Sequence, residues 1–220
     1  MGSSSAARES GARTSRSSVV RRIAPLTPCD CDLEHTLHSC QELKVLHLPR
    51  LDLHDRGIER IRENAFKELH GLTALNLHNN RIKTIEKGAF RGLARLPILD
   101  LSNQDIEVIE AGAFQGLESL TDLNVNYNAI KVLEVGTFRG LKRLEMLELA
   151  GNHITSIEAG TFEGLGSLTT LHLHVNAITS IEAGTFEGLG SLTELQLDDN
   201  DITSIEAGMF QGLGSLTHLD

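Results

Sequence analysis

The sequence predicts an α/β repeat solenoid: a horseshoe of stacked coils with a parallel β-sheet on its concave side and irregular or short-helical segments on its convex side. Two observations carry this. All seven phenylalanines of the 220-residue chain, Phe66, Phe90, Phe114, Phe138, Phe162, Phe186 and Phe210, stand 24 residues apart. Alignment on them exposes the frame L-x-x-L-x-L-x-x-N-x-I-x-x-I. It runs Leu72, Leu75, Leu77, Asn80, Ile82, Ile85, Phe90, Leu93 in one coil and Leu96, Leu99, Leu101, Gln104, Ile106, Ile109, Phe114, Leu117 in the next. A single globular core does not space its aromatics at one period, whereas equivalent stacked coils do.

Each column of the frame has a physical reading. The L-x-L segment alternates with period two, as a short strand with one buried face does. Stacked coils lay these strands about 4.7–4.9 Å apart in one parallel sheet. The amide column, Asn80, Asn128, Asn152, Asn176 and Asn200, offers both donor and acceptor to backbone groups at the turn leaving the strand. Gln104 keeps the amide with one extra methylene, and Arg56 offers no acceptor, so the ladder should be defective in the first coil. Glycines two residues before each Phe from Phe90 onward, such as Gly88 and Gly112, suit a tight turn. The phenylalanines form the expected spine. A glutamate column (Glu86, Glu110, Glu134, Glu158, Glu182, Glu206) repels itself mildly and reads as repeat ancestry rather than a structural device.

This frame resembles the leucine-rich repeat family, in its 24-residue class found in Slit-like, Toll-type and Nogo-receptor-like extracellular proteins. The resemblance covers residues 48–220, as seven full coils and a truncated eighth, Leu216 to Asp220. It implies a non-enzymatic recognition module without a cofactor or metal. Residues 28–47, with Cys29, Cys31 and Cys40, resemble the family's cysteine-rich N-terminal cap. That cap carries four cysteines, and the first has no counterpart here. The usual pairing implies a Cys29–Cys40 disulfide and an unpaired Cys31 thiol; an intermolecular bond is a further possibility. Zinc held by these cysteines with His35 and His38 is the rival reading, though C-x-C is cramped for a closed tetrahedral site.

The ends carry weaker signals. Residues 1–27 are a Ser/Arg-rich leader, expected to be disordered, with Arg8, Arg13, Arg16, Arg21 and Arg22 against Glu9. It has no apolar run of signal-peptide length. At the other end Leu216 and Leu219 have no following coil to cover them. The expectation is a fragment of a longer chain, or self-association through the uncapped coil.

The net charge of −10 is unevenly held: after Arg143 there are twelve acids and no Lys or Arg. Such a field disfavours nucleic acid and anionic membrane and favours a protein partner that is neutral to basic at its contact surface.

The strongest functional clue is internal. Ile154 to Leu168 and Ile178 to Leu192 are identical, yet their coils differ at Glu145/Thr169, Met146/Thr170, Glu148/His172, Ala150/His174, Gly151/Val175 and His153/Ala177. All six pairs flank or interleave the L-x-L strand. Exposed outer residues such as Thr155, Glu158 and Glu163 recur unchanged. The expected ligand-binding set on the concave face is Asn76, His78, Asp100, Asn124, Asn126, Tyr127, Met146, Glu148, His172, His174, Gln196 and Asp198. Tyr127 and Met146 are its anchors, because aromatic and large apolar groups carry outsized interface energy. The expected location is extracellular or cell-surface. A matrix spacer and a fragment of a transmembrane signalling receptor are the alternatives.

Overall fold

The computed structural model describes residues 49–220, together with the backbone of two short strands upstream. In chain order the strands begin with β1 (Asp30–Cys31), β2 (Thr36–Ser39), β3 (Arg50–Asp52), β4 (Arg60–Ile61), β5 (Ala74–Asn76), β6 (Thr84–Ile85), β7 (Ile98–Asp100) and β8 (Val108–Ile109). They continue as β9 (Asp122–Asn124), β10 (Met146–Glu148), β11 (Ser156–Ile157), β12 (Thr170–His172), β13 (Ser180–Ile181), β14 (Glu194–Gln196) and β15 (His218–Leu219). The leader, the Cys29–Cys40 disulfide, the Cys31 thiol and the rival zinc site lie outside the described residues.

The main sheet has eight parallel strands in the order β15-β14-β12-β10-β9-β7-β5-β3, one per coil. Its register steps by one full period, pairing Leu75 with Leu99, Leu99 with Leu123 and Leu147 with Leu171. No side chain changes face along the stack, so every central Leu from Leu51 to Leu195 is buried and its neighbours line one face, while Leu219 of the last strand is exposed.

Phe66, Phe90, Phe114, Phe138, Phe162 and Phe186 are at most 1% exposed, and consecutive rings stack almost parallel. Their centroids are 6.0 Å apart at Phe66–Phe90 and 6.4 Å at Phe186–Phe210. Strands in a sheet stand only about 4.7–4.9 Å apart. Coils therefore spread wider at the phenylalanines than at the strands, which bends the stack and puts the sheet inside the curve.

Among the described residues no helix forms on the convex side, so the irregular rather than the short-helical alternative holds. Turns replace helix there, with Ala89 N–H donating to Glu86, Arg91 to Gly88 and Leu93 to Phe90. The cause is local. Gly88 (φ 70°) and Gly92 (φ 103°) hold left-handed backbone four residues apart, which interrupts any helical run. Gly92 is also sterically required, because a Cβ there would lie 2.5 Å from the Lys67 Cα of the preceding coil.

A second, thinner ladder runs on the side away from the face. The β1–β2 hairpin is antiparallel, and β2, β4, β6 and β8 continue from it in parallel. β11 and β13 form a separate pair. The intervening coil has Lys131–Val135 where its neighbours have strand, and it exposes Val132 and Val135. Two-residue strands of this kind were not legible as strands in the frame.

Candidate recognition surface

The amide ladder fixes how each strand leaves the sheet. Asn128 Oδ1 accepts from Ile106 N–H at 3.1 Å, while its Nδ2 donates to Leu101 and Val125 carbonyls at 3.0 Å each. Asn80, Asn152, Asn176 and Asn200 repeat that pattern onto the preceding coil. Gln104 makes the same contacts more loosely, accepting from Ile82 N–H at 3.4 Å and donating to Leu77 at 3.2 Å. In the first coil, where Arg56 replaces the amide, the Arg56 N–H is satisfied by Asn80 Oδ1 at 3.1 Å.

Two members of the glutamate column, Glu110 and Glu182, have a structural role that the sequence reading denied the column. Glu110 accepts from Lys87 N–H at 2.8 Å and Glu182 from Ala159 N–H at 3.1 Å, both in the preceding coil. A carboxylate on an otherwise unpaired amide outweighs mild repulsion between exposed like charges.

On the concave face, residues on either side of each central Leu form a grid. One row runs Asp52, Asn76, Asp100, Asn124, Glu148, His172 and Gln196; the next outward holds His54, His78, Ser102, Asn126, Ala150, His174 and Asp198. The first row's Asn76, Asp100 and Asn124 each accept the N–H two residues on, which ties them to the strand exit. His78 Nδ1 is 3.1 Å from Ser102 Oγ. Asn126 spans to the next coil, donating to Glu148 Oε2 at 3.1 Å and accepting from Ala150 N–H at 2.7 Å. Ala150 is buried, so its coil contributes no side chain to the second row.

Two histidine environments differ. His54 and Asp52 are exposed and share a 2.7 Å contact. The hydrogen bond raises the His54 pKa above the ordinary histidine value and lowers that of Asp52. Half-buried His172 lies 3.4 Å from Glu194 and 3.9 Å from Glu148, flanked by acids on both adjacent strands. Its ring meets His174 edge-on at 5.7 Å. Gln196 donates to Glu194 at 2.8 Å, and Asp198 is exposed at the acidic end of the face.

Tyr127 stands on the rim rather than on the sheet. It is 58% exposed, with φ 54°, and its ring lies over Gly151 of the next coil, where a Cβ would meet the ring at 2.5 Å. The same rim column holds Asn79, Asn103, Val175 and Asp199, all at positive φ. Val175 is the outlier: a β-branched residue rarely accepts this backbone. Of a third row, Ala74, Ile98, Asp122, Met146, Thr170 and Glu194, the sequence reading took Met146 into the binding set and left out Ile98, Asp122 and Glu194. The signal was available, since these residues immediately precede each central Leu. Ile98 is 56% exposed there. Two hollows open on the face. One, of about 390 Å³, is lined by His54, Asn76, His78 and Asp100; the other, of about 200 Å³, lies between Ile98 and Met146.

Comparison with known proteins agrees with this geometry. The sequence matches the family described as Leucine rich repeat over residues 46–106, 95–154, 121–178, 144–202 and 166–220. No curated protein matches. Among solved structures, TLR13 in its complex with ssRNA13 superposes with a TM-score of 0.77 at 31% identity, covering 84% of this chain and 26% of that one. An internalin (inlF) from Listeria monocytogenes str. 4b F2365 superposes with a TM-score of 0.59 at 22% identity, covering 86% of this chain and 51% of the other, a likeness of fold alone. The chain thus spans about a quarter of the first and half of the second. With period and sequence match coinciding along the stack, and the amide ladder joining the coils from Asn80 to Asn200, the chain belongs to the leucine-rich repeat family.

Proposed function

We propose that this chain is an extracellular or cell-surface recognition module that binds a protein ligand through the concave face, without catalysis. One observation carries the reading. Two successive coils are identical from Ile154 to Leu168 and Ile178 to Leu192, and their six differences all fall between 145 and 153 and their counterparts. Those positions lie on the sheet face or at its margins. Neutral drift would also have changed the exposed Thr155, Glu158 and Glu163. The partner's contact surface is neutral to basic, because face rows from the second coil onward hold carboxylates and histidines and no Lys or Arg. TLR13 was crystallised with single-stranded RNA; the present face would repel phosphate.

The test is a display library of extracellular proteins screened against the full chain, followed by alanine scanning of each hit. Tyr127→Ala should cost about 2 kcal/mol of binding, with smaller losses at Met146, Glu148 and His172. Alanine at Thr155, Glu163 or Glu187 should cost nothing measurable. Binding lost on the outer set and kept on the inner would reverse the assignment. A matrix spacer would tolerate both sets without loss.

A further inference from the structure

We propose that the hollow between β7, β9 and β10 receives a lysine or arginine side chain of the partner protein. The stem would lie between Ile98 and Met146, and the cation among Asp100, Asp122 and Glu148. This deepens the reading that the concave face binds protein, and it rests on that reading.

The hollow follows from side-chain length. Register pairs Ile98 with Asp122 and Asp122 with Met146 in one row, and Asp100 with Asn124 and Asn124 with Glu148 in the other. The central strand carries two short side chains, Asp122 and Asn124, while longer Ile98, Met146 and Glu148 stand on its flanks. A depression of about 200 Å³ results, with Leu123 at its floor.

Its chemistry selects an amphipathic cation. Ile98 is 56% exposed and Met146 half-buried, so the walls are apolar and uncovered. Two of the three carboxylates are already oriented through one oxygen: Asp100 Oδ1 accepts from the Ser102 N–H at 2.9 Å and its hydroxyl at 2.6 Å, and Glu148 Oε2 accepts from Asn126 at 3.1 Å. Asp122 Oδ2 lies 2.5 Å from Thr121 Oγ1, whose single proton is shared with the Pro97 carbonyl at 3.0 Å. Among the described residues no Lys or Arg forms an ion pair with any of them; Glu148 has only His172 at 3.9 Å. Three carboxylates thus line the hollow, two of them held in place, with their charge uncompensated by a cationic side chain of the described residues.

An anion would be repelled, and a purely apolar group would desolvate the three carboxylates without pairing them. No group of three or more acids or histidines among the described residues is arranged to hold a metal ion, which disfavours a compact cation. Lysine and arginine fit both halves, since their methylene stems cover apolar surface while the head stays with charge and water.

Methionine labelling tests this directly. The chain has three methionines, of which Met146 alone lines the hollow. The full chain with 13C-labelled methionine methyls would be titrated with acetyl-Gly-Ser-Lys-Ser-Gly-amide, and in parallel with its norleucine and arginine counterparts. The expected result is a saturable shift of the Met146 methyl with the lysine and arginine peptides. The norleucine peptide should bind about tenfold more weakly, a change of about 1.4 kcal/mol that three exposed ion pairs can supply. Substituting Asp100→Asn, Asp122→Asn and Glu148→Gln together should weaken the cationic peptides by a similar factor. Asp122→Asn alone, which keeps an acceptor for Thr121, should give part of that loss and serves if the triple variant melts early.

An unmoved Met146 methyl, equal binding of the norleucine peptide, or an unaffected triple variant would overturn the proposal. The screened protein partner separates this failure from failure of the wider reading. If its binding falls with Tyr127→Ala and not with the triple variant, the face binds protein and the hollow is wrongly assigned. If neither change matters, the face reading falls and the hollow falls with it.

Discussion

The outer wall and the inner face of this solenoid obey different rules. Along the wall, phenylalanine, glycine and the amide recur coil after coil, each buried or hydrogen-bonded to a neighbour. Along the face and rim, adjacent coils differ: Asn126 gives way to Ala150 and then His174, Tyr127 to Gly151 and then Val175. Backbone geometry does not explain the variation, since the rim column keeps φ between 52° and 66° throughout. Asn79 and Asn103 suit that conformation, and Tyr127 and Val175 do not. Wall residues therefore answer to stability, and at least two rim residues are present despite it.

The sharpest way to break that division is at the wall. Phe138→Ala removes a ring stacked on both sides and fully buried, and should cost about 3–5 kcal/mol. Hydrogen exchange would show the loss centred on the fourth coil and its neighbours, because repeat stability is a nearest-neighbour sum. Next, Asn128→Ala strands the Ile106 N–H and the Leu101 carbonyl, while Val125 keeps Asn152 as a donor, for about 2–3 kcal/mol in denaturant melts. If either change left stability intact, the wall would not be the structural half of the molecule.

Rim changes should be smaller and of mixed sign. Gly151→Ala places a Cβ against the Tyr127 ring at positive φ, costing about 1–2 kcal/mol. The chain has one Tyr and no Trp, so its intrinsic fluorescence is that of Tyr127, and acrylamide should quench it more readily in this variant. Val175→Asn should instead stabilise by about 1 kcal/mol, by relieving a β-branched residue in left-handed backbone. It should also weaken partner binding; a stabilised variant with full affinity would mean that Val175 is not retained for recognition.

The smallest effect is a titration. His54 should protonate at a pH above the ordinary histidine value, because Asp52 accepts its hydrogen bond, and Asp52→Asn should return it to the ordinary range in an NMR titration. His54 is solvent-exposed, so global stability should barely follow.

The period was legible because one substitution pattern repeats seven times, and period fixes coil length, strand position and buried columns together. Gln104 was legible as a member of the amide column for the same reason, and its looser contacts emerge only from the geometry. What escaped depended on contacts between coils that no single column announces. Glu110 reads as a repelled charge until the Lys87 amide beneath it is seen. Tyr127 reads as a face residue until its positive φ turns it onto Gly151. The outer ladder lapses between Ile109 and Ser156, where Val132 and Leu133 keep strand-forming residues but pair with neither neighbour's strand. The hollow escaped because it depends on the short Asp122 lying between longer neighbours from other coils.

Charge is distributed along the stack as unequally as sequence variation is distributed across it. Residues 48–143 hold fourteen Lys or Arg against thirteen acids, while residues 144–220 hold twelve acids alone. The solenoid is accordingly an electrical dipole, near neutral at one end and negative at the other. A basic partner diffusing toward it is turned before it touches, with its positive surface drawn first to the later coils. Added salt should slow such encounters while leaving the dissociation rate of the formed complex much less changed.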